Sequence, residues 1–268
     1  MKSAKYLLSA IAALAVGFAV TSANADVLAT IKERKVVNIG VDLGQAPFGM
    51  VDGEMKQTGS DVATAQQLAK DLGVELNIVP VTPANRIPFL MTRKVDAIIA
   101  SFSITDERKK TIAFSTPYAV IQSSVATTGG LEVGSLKDLE GKEVAVTRGS
   151  TNDQIITKAV EDEKLEGVTI VRYDDNATAT NAVVSGQQGV YIVAPSLLVP
   201  VNAANPSNKI ESKLVLKTFP LGIGLHKDET ELKAWLDQWV SDSLQTGKLG
   251  EIYQTYHGVP LPADMPKE

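Results

Sequence analysis

Two short apolar runs with a helix-patterned segment between them decide most of what this chain can become. Val36-Val37-Asn38-Ile39-Gly40-Val41 reads as a strand, with a short amphipathic helix ahead of it from Asp26 to Lys35. It breaks at Asp42-Leu43-Gly44-Gln45-Ala46-Pro47-Phe48, where Gly and Pro prevent regular structure. Val51 to Glu54 has the composition of a hairpin tip. Gly59-Ser60-Asp61 then opens a helix carrying Val62, Ala65, Leu68, Ala69 and Leu72 at helical spacing, stopped by Gly73, and Val74 to Val81 is the next strand. Strand, helix, strand is a β-α-β unit, the building block of a parallel sheet with helices on its faces.

The segment most suggestive of chemistry runs from Asp96 to Tyr118 and reads DAIIASFSITDERKKTIAFSTPY. Ala97-Ile98-Ile99-Ala100 has the character of a buried parallel strand that stops near Ser101. Beyond it, Ser101 and Ser103 offer hydroxyls, and Thr105 is a plausible N-cap for a turn containing Arg108. A guanidinium beside two hydroxyls suits a carboxylate, because the planar fork binds it bidentately and the hydroxyls satisfy the remaining lone pairs. Spacing alone equally describes a solvated arginine and ordinary turn hydroxyls.

The remainder repeats the pattern. Thr82 to Leu90, containing Asn85-Arg86-Ile87-Pro88, is a helix entered through prolines, in which Arg86 by itself reads as a surface arginine closing a helix turn. Val120 to Thr128 is strand-like, and Ser135 to Leu139 is a capped turn. Glu143 to Val146 is a strand, and Arg148 to Asp153 opens a helix. There Ser150 and Thr151 are either plain caps or part of an anion site made by free N–H groups and the helix dipole. Val168 to Tyr173 and Val190 to Val193 are strands on either side of a helix capped by Asp174-Asp175-Asn176. A polar loop is expected from Asn202 to Lys213, then one strand from Phe219 to His226. The closing helices place Trp235 and Trp239 at core spacing.

The order of strand, S-x-S-I-T-x-E-R, then A-F-S-x-P-Y closely resembles the signature of the polar amino-acid solute-binding proteins that serve ABC importers (family 3), over essentially the whole chain after residue 25. The resemblance implies an α/β, two-lobe periplasmic-binding-protein fold (type II), each lobe an open sheet flanked by helices, joined by two hinge strands. Residues 26–125 with 217–268 form the first lobe on this reading, and 126–216 the second. It implies that Arg108 holds a ligand α-carboxylate, with Ser101 and Ser103, and that Ser150 and Thr151 grip it from the second lobe. Arg86, in a tetrad found among relatives that bind acidic amino acids, becomes the partner of a second carboxylate or another polar end. Two departures stand out: Gly189 and Ala194 replace acids, the latter the Asp that pairs with the ligand ammonium. Either another acid takes over, Asp42 or Asp174, or the ligand has no α-amino group. The usual stacking aromatics are replaced by Gln45 and Pro83, while Phe48 and Phe102 are either nearby walls or core. Gln45, Asn85, Arg86 and Asn176 suit a polar or anionic ligand end, and the missing aromatic faces disfavour a cationic one.

The first 25 residues fit the same role. Lys2 and Lys5 precede an apolar run from Tyr6 to Val20, and Ala23-Asn24-Ala25 is an A-x-A cleavage site, so a signal peptide cut after Ala25 and a periplasmic protein are expected. The run is shorter than the about 20 residues that span a bilayer. With 26 Lys+Arg against 31 Asp+Glu, the chain offers no basic face for nucleic acid. Two His and no Cys leave no zinc site or disulfide, and no catalytic motif, cofactor or metal site is recognised. The expected partners of a monomer are a small carboxylate ligand and an inner-membrane ABC permease. The alternatives are a binder of a non-amino organic acid, or a dehydratase-like enzyme on the same fold, which would need an acid or base beside the substrate.

Overall fold

The structure, a computed structural model, describes residues 27–266; the expected signal peptide and its cleavage site lie outside the described residues. In chain order the first part comprises α1 (Val27–Arg34), β1 (Val36–Val41), β2 (Met50–Val51), β3 (Gln57–Thr58), α2 (Ser60–Leu72), β4 (Glu75–Pro80), α3 (Arg86–Met91), β5 (Ala97–Ile98), α4 (Asp106–Lys109) and β6 (Ala113–Phe114). Then follow β7 (Ala119–Thr127), a 3-10 turn (Leu136–Leu139), β8 (Glu143–Thr147), α5 (Thr151–Asp162), β9 (Thr169–Tyr173), α6 (Asn176–Val184), β10 (Val190–Val193) and α7 (Pro195–Ala204). The chain ends with β11 (Glu211–Leu221), β12 (Gly224–Leu225), α8 (Thr230–Gln245) and α9 (Lys248–His257).

These elements build two five-stranded sheets, ordered β4-β1-β5-β12-β6 and β11-β7-β10-β8-β9. In the first, β1 lies parallel to β4 and β5, as the β-α-β reading requires, and α2 stops at Gly73 in the left-handed conformation. In the second, β8 is parallel to β9 and β10. One face of the first sheet buries Ile39, Val41 and Ile99 against Val62 and Leu68 of α2 and Leu236 of α8; the other buries Ile98, Phe102, Ile112 and Phe114. Val125, Val144, Val146, Ile156 and Ile192 fill the second lobe. Alternate side chains of each strand thus reach opposite layers, the arrangement that a sheet covered on both faces needs. Trp239 is buried and its indole N–H donates to Asp71 Oδ2 (2.9 Å), while Trp235 stacks on it.

The sheets are joined by the antiparallel pair β7 and β11. It runs from Glu211↔Thr127 in the second sheet to Leu221↔Ala119, where Tyr118 N–H donates to Leu221 O beside the first sheet. The register slips twice, between Ser212 and Leu214 and between Val215 and Lys217.

The fold corrects three readings. The polar loop expected from Asn202 to Lys213 shrinks to 205–210, because α7, an apolar helix started by Pro195 at its first turn, runs through Ala204 and β11 begins at Glu211. The strand expected over Phe219–His226 is two pieces of different sheets. β11 ends at Leu221, and Gly222 turns its N–H to Phe102 O before β12 pairs between β5 and β6. The strand near Ser101 is regular only over Ala97–Ile98.

Candidate functional site

Between the two sheets lies a small pocket, with a cavity volume of about 30 Å³. Its first-lobe wall includes Gln45, Pro83, Arg86, Ser101 and Ser103; its second-lobe wall includes Ser150, Thr151, Asn152, Asn176 and Ala194, with Leu197 of α7. The lining is thus mostly hydroxyl and amide with one cation. The pocket sits beyond the C-terminal ends of β1, β5, β8 and β10, where open α/β sheets place their ligands.

Two guanidiniums define its chemistry. Arg86, at the start of α3, is 3% exposed and donates from Nη1 to Ala100 O (2.8 Å), while its Nε has no hydrogen-bond partner. Arg108, also 3% exposed, is set by Thr105, whose hydroxyl accepts the Arg108 N–H (3.3 Å) as the cap of α4. Its Nη1 donates to Ser103 O (2.8 Å), and its Nη2 crosses to Gly149 O of the second lobe (3.3 Å). Both groups lie over the ring of Phe102, 4.2 Å and 4.8 Å from its centroid. Among the described residues neither has a carboxylate within ion-pair distance. Burial lowers the Arg86 pKa to about 10, and burial with repulsion from Arg86 pushes Arg108 well down. The carboxylates of Asp42 and Asp61 act on Arg86 at longer range, whereas the charge acting on Arg108 is the repelling Arg86, so the pair still favours negative charge beside the pocket.

A second contact set crosses between the lobes. Asn176, the first residue of α6, donates from Nδ2 to Asp42 Oδ2 and Gln45 Oε1 (both 3.0 Å) and accepts from Thr147 Oγ1 (2.8 Å). Asp42 also accepts from Gly44 N (3.0 Å), yet burial raises its pKa to about 6. Gly149 has φ +72, and a Cβ there would stand 3.1 Å from Ala84 Cα and Pro83 O. The lobes are therefore closed on one another, with the turn before α5 seated on the turn before α3.

The structure brings Ser101, Ser103, Ser150, Thr151, Arg86, Gln45 and Asn176 onto one pocket, with Asp42 one hydrogen bond behind. Ser150 also caps α5, accepting from Asp153 N (3.1 Å). Arg108 stands beside the pocket as a bridge to Gly149. Four residues are placed otherwise. Asn85 uses its Oδ1 to accept Thr82 N (2.9 Å), closing the local turn. Phe102 is the buried platform under the guanidiniums, edge-on to Phe114, and Phe48 is core against His257. Asp174 is at the rim, its side chain 87% exposed and paired with Arg148, so of the two acids weighed only Asp42 is near the pocket. Gln122, Asn152 and Leu197 also line the pocket without a local sequence signal: Gln122 stands mid-strand, Asn152 sits two residues beyond the Ser150 cap, and Leu197 is brought there by α7. Ser123 Oγ, which donates to Asn152 Oδ1 (2.6 Å), ties that helix start to β7.

Comparison with known proteins agrees with this geometry. Residues 37–259 match the family described as bacterial extracellular solute-binding proteins, family 3. The chain is 28% identical over 250 residues to an L-cystine-binding protein of Escherichia coli (strain K12), covering 92% of each. It is 30% identical over 238 residues to the glutamine-binding protein of an ABC transporter in Bacillus subtilis (strain 168), covering 86% of this chain and 84% of the other. The crystal structure of a cysteine-binding protein from Campylobacter jejuni superposes with a TM-score of 0.80 at 26% identity, covering 90% of this chain and 97% of that one.

Proposed function

Because this chain belongs to the bacterial extracellular solute-binding proteins, family 3, we propose that it captures a small amino acid with a polar or acidic side chain between its closing lobes and delivers it to an ABC permease. The observation that carries this reading is Arg86: a buried cation on the pocket wall, with an unpartnered Nε and no ion pair within reach among the described residues. Asp42 and Asp61 act on it only at longer range, so a bound anion would be its direct ion-pair partner.

In this reading Arg108 exchanges its carbonyl contacts for the ligand α-carboxylate, which adds the opposite charge and the bidentate fit that neutral carbonyls lack. Ser101, Ser103 and Thr151 supply hydroxyl contacts, and Arg86 takes the second polar or acidic end. Asp42 with Asn176 takes the ammonium. Residues 26–125 with 217–268 move against 126–216, with β7 and β11 as the hinge. Ligand contacts from both lobes favour the closed state, which is what a permease distinguishes. The cystine, glutamine and cysteine named for the relatives and neighbour differ in the end opposite the α-carbon, so the side-chain pocket has to come from this chain's residues. The protein acts as a monomeric binding component outside the cytoplasm rather than as an enzyme: Ala194 puts no proton carrier where the resemblance leads one to expect an acid, and Asp42 is held by Asn176 and Gly44.

A second reading has its own support. Ala194 lines the pocket where the resemblance leads one to expect the ammonium-binding acid, which suits a dicarboxylic acid with no amino group. A thermal-shift screen of refolded protein against L-glutamate, L-aspartate, L-glutamine, L-cystine, L-arginine and succinate separates the readings, because a bound ligand raises Tm by mass action. Shifts with acidic or amide amino acids are expected. Shifts with succinate alone would establish the diacid, and shifts with L-arginine alone would overturn both.

A further inference from the structure

We propose that Asp61 is a positioning residue of this cleft, holding the Ala100–Ser101 peptide unit from behind and, through it, both the Ser101 wall and the Arg86 guanidinium. The inference rests on the reading of the cleft as an acid-binding site, but the device itself is drawn from bonds that involve no ligand.

Asp61 is the second residue of α2 and is 1% exposed, yet it does not cap that helix. The helix start is closed by backbone instead: Ser60 N donates to Pro47 O (3.0 Å) and Asp61 N to Phe48 O (2.7 Å). The carboxylate is free to reach across to the end of β5. There Oδ2 accepts Ser101 N (2.6 Å) and Oδ1 accepts the Tyr118 hydroxyl (3.0 Å). Ser101 has φ +44, a left-handed backbone that L side chains disfavour, and its residue lines the pocket. A charged acceptor on its N–H is the bond that holds it so.

The other end of the same peptide is also bound. Ala100 O accepts Arg86 Nη1 at 2.8 Å. One amide therefore carries a carboxylate at its N–H and a guanidinium at its C=O, and the two charges polarise it in the same sense. A rotation of this plane would move the Ser101 side chain and release the Arg86 anchor together. Asp61 is thus linked to the ligand wall without touching it, from the side of a separate cavity lined by Phe48, Ser60, Thr64, Tyr118, Leu249 and Tyr253.

The groups that face Asp61 are Tyr118 ahead of β7, Asp42 at the end of β1, Arg86 on α3 and Tyr253 on α9, with His257 of α9 bonded to the adjacent Ser60 (3.1 Å). Burial, with a smaller contribution from Asp42, raises the Asp61 pKa to about 7 against its two hydrogen bonds and Arg86. Its ionised form, the better acceptor for Ser101, therefore dominates above about pH 7 and is lost below it.

The test uses ¹⁵N-labelled, ligand-free protein. The Ser101 amide proton is expected far downfield and titrating with a midpoint near pH 7, and the Arg86 Nε–H resonance is expected to follow the same midpoint. In Asp61→Asn both titrations vanish and the Kd for L-glutamate rises about tenfold or more, whereas Tyr118→Phe, which leaves the Ser101 bond intact, changes it much less. A purely structural Asp61 would lower Tm in Asp61→Asn without changing the Kd, whereas the Arg86 resonance, which also feels the Asp61 charge directly, reports its ionisation. The proposal is overturned if neither resonance titrates in the wild type, or if Asp61→Asn binds L-glutamate like the wild type. If Asp61→Asn does not fold, the wild-type titrations decide. If L-glutamate does not bind the wild type, the acidic-ligand reading fails while the two resonances still decide the role of Asp61.

Discussion

Replacing Asn176 by Ala should open the protein without unfolding it. The side chain makes two bonds that exist only when the lobes meet, to Asp42 Oδ2 and Gln45 Oε1. A bond to a charged acceptor contributes about 1.5–3 kcal/mol and a neutral one about 0.5–1.5 kcal/mol, so closure loses roughly 2–4 kcal/mol. That corresponds to a shift of the closed-to-open ratio by about 30- to 1,000-fold, since each 1.4 kcal/mol is a factor of ten. In the open form Asp42 and Gln45 face water, so the loss of these two bonds falls on closure, while the Thr147 Oγ1 bond within the second lobe costs folding about 0.5–1.5 kcal/mol. Asp175 still caps α6, and Ala is a good helix former at its first position. The absence of Cys allows one introduced pair, such as Lys56→Cys and Glu161→Cys on opposite lobes, to be labelled for energy-transfer measurements. Ligand-free Asn176→Ala should show a longer inter-lobe distance with only the small fall in Tm that the lost Thr147 bond entails. An unchanged distance would refute the role of Asn176 as a clasp, and a collapse in Tm would place its bonds in folding instead.

Other outcomes follow from the same contacts. Arg108→Met should weaken L-glutamate binding by about 100-fold, read by calorimetry, while leaving the ligand-free Tm no lower, because it replaces a buried, unpaired cation with an apolar group. Gly224→Ala would set a Cβ 2.6 Å from a Phe102 ring carbon; displacing that platform should cost about 1–3 kcal/mol in denaturant unfolding and weaken L-glutamate binding as well. His257 is held near a pKa of about 4 by burial, below its ordinary 6.5. The unfolded chain therefore takes up a proton that the folded chain refuses, and this contribution to stability is lost as pH falls from about 6.5 to about 4. Asp61 and Asp42, raised to about 7 and about 6, work in the opposite sense, losing stability as pH rises from about 4 to about 7. The Tm difference between wild type and His257→Gln, which isolates the histidine, should shrink on acidification across its window; a constant difference would contradict it.

What the sequence disclosed was what local chemistry controls. β1, α2 and β4 follow from an apolar run, a 3.6-residue period and a stopping glycine, and Thr105 and Asp175 were recognisable as caps because their side chains act within three residues. The hydroxyl and guanidinium cluster around Ser101 was legible for the same reason. What long-range packing controls was hidden. α7 has an apolar composition that fits helix or strand, and only Pro195 marks its start. Arg108 was expected to face the ligand directly, but closure lets Gly149 O occupy its Nη2, a contact set by how two lobes meet. Asp61 looked like a helix-start residue, while its partners Ser101 and Tyr118 lie far along the chain. Phe102 could be placed near the cleft, yet its place beneath the cations depends on β12 bringing Gly224 against its ring.

The account turns on Arg86 receiving the second acidic end of the ligand, and a four-value set of dissociation constants tests it most directly: wild type and Arg86→Ala, each with L-glutamate and with L-2-aminobutyrate, which lacks the distal carboxylate. Any general damage from the substitution affects both ligands alike and cancels. The expected result is a preference for L-glutamate in the wild type that disappears in Arg86→Ala, with L-2-aminobutyrate bound equally by both proteins. A preference for L-glutamate that survives in Arg86→Ala would contradict the account.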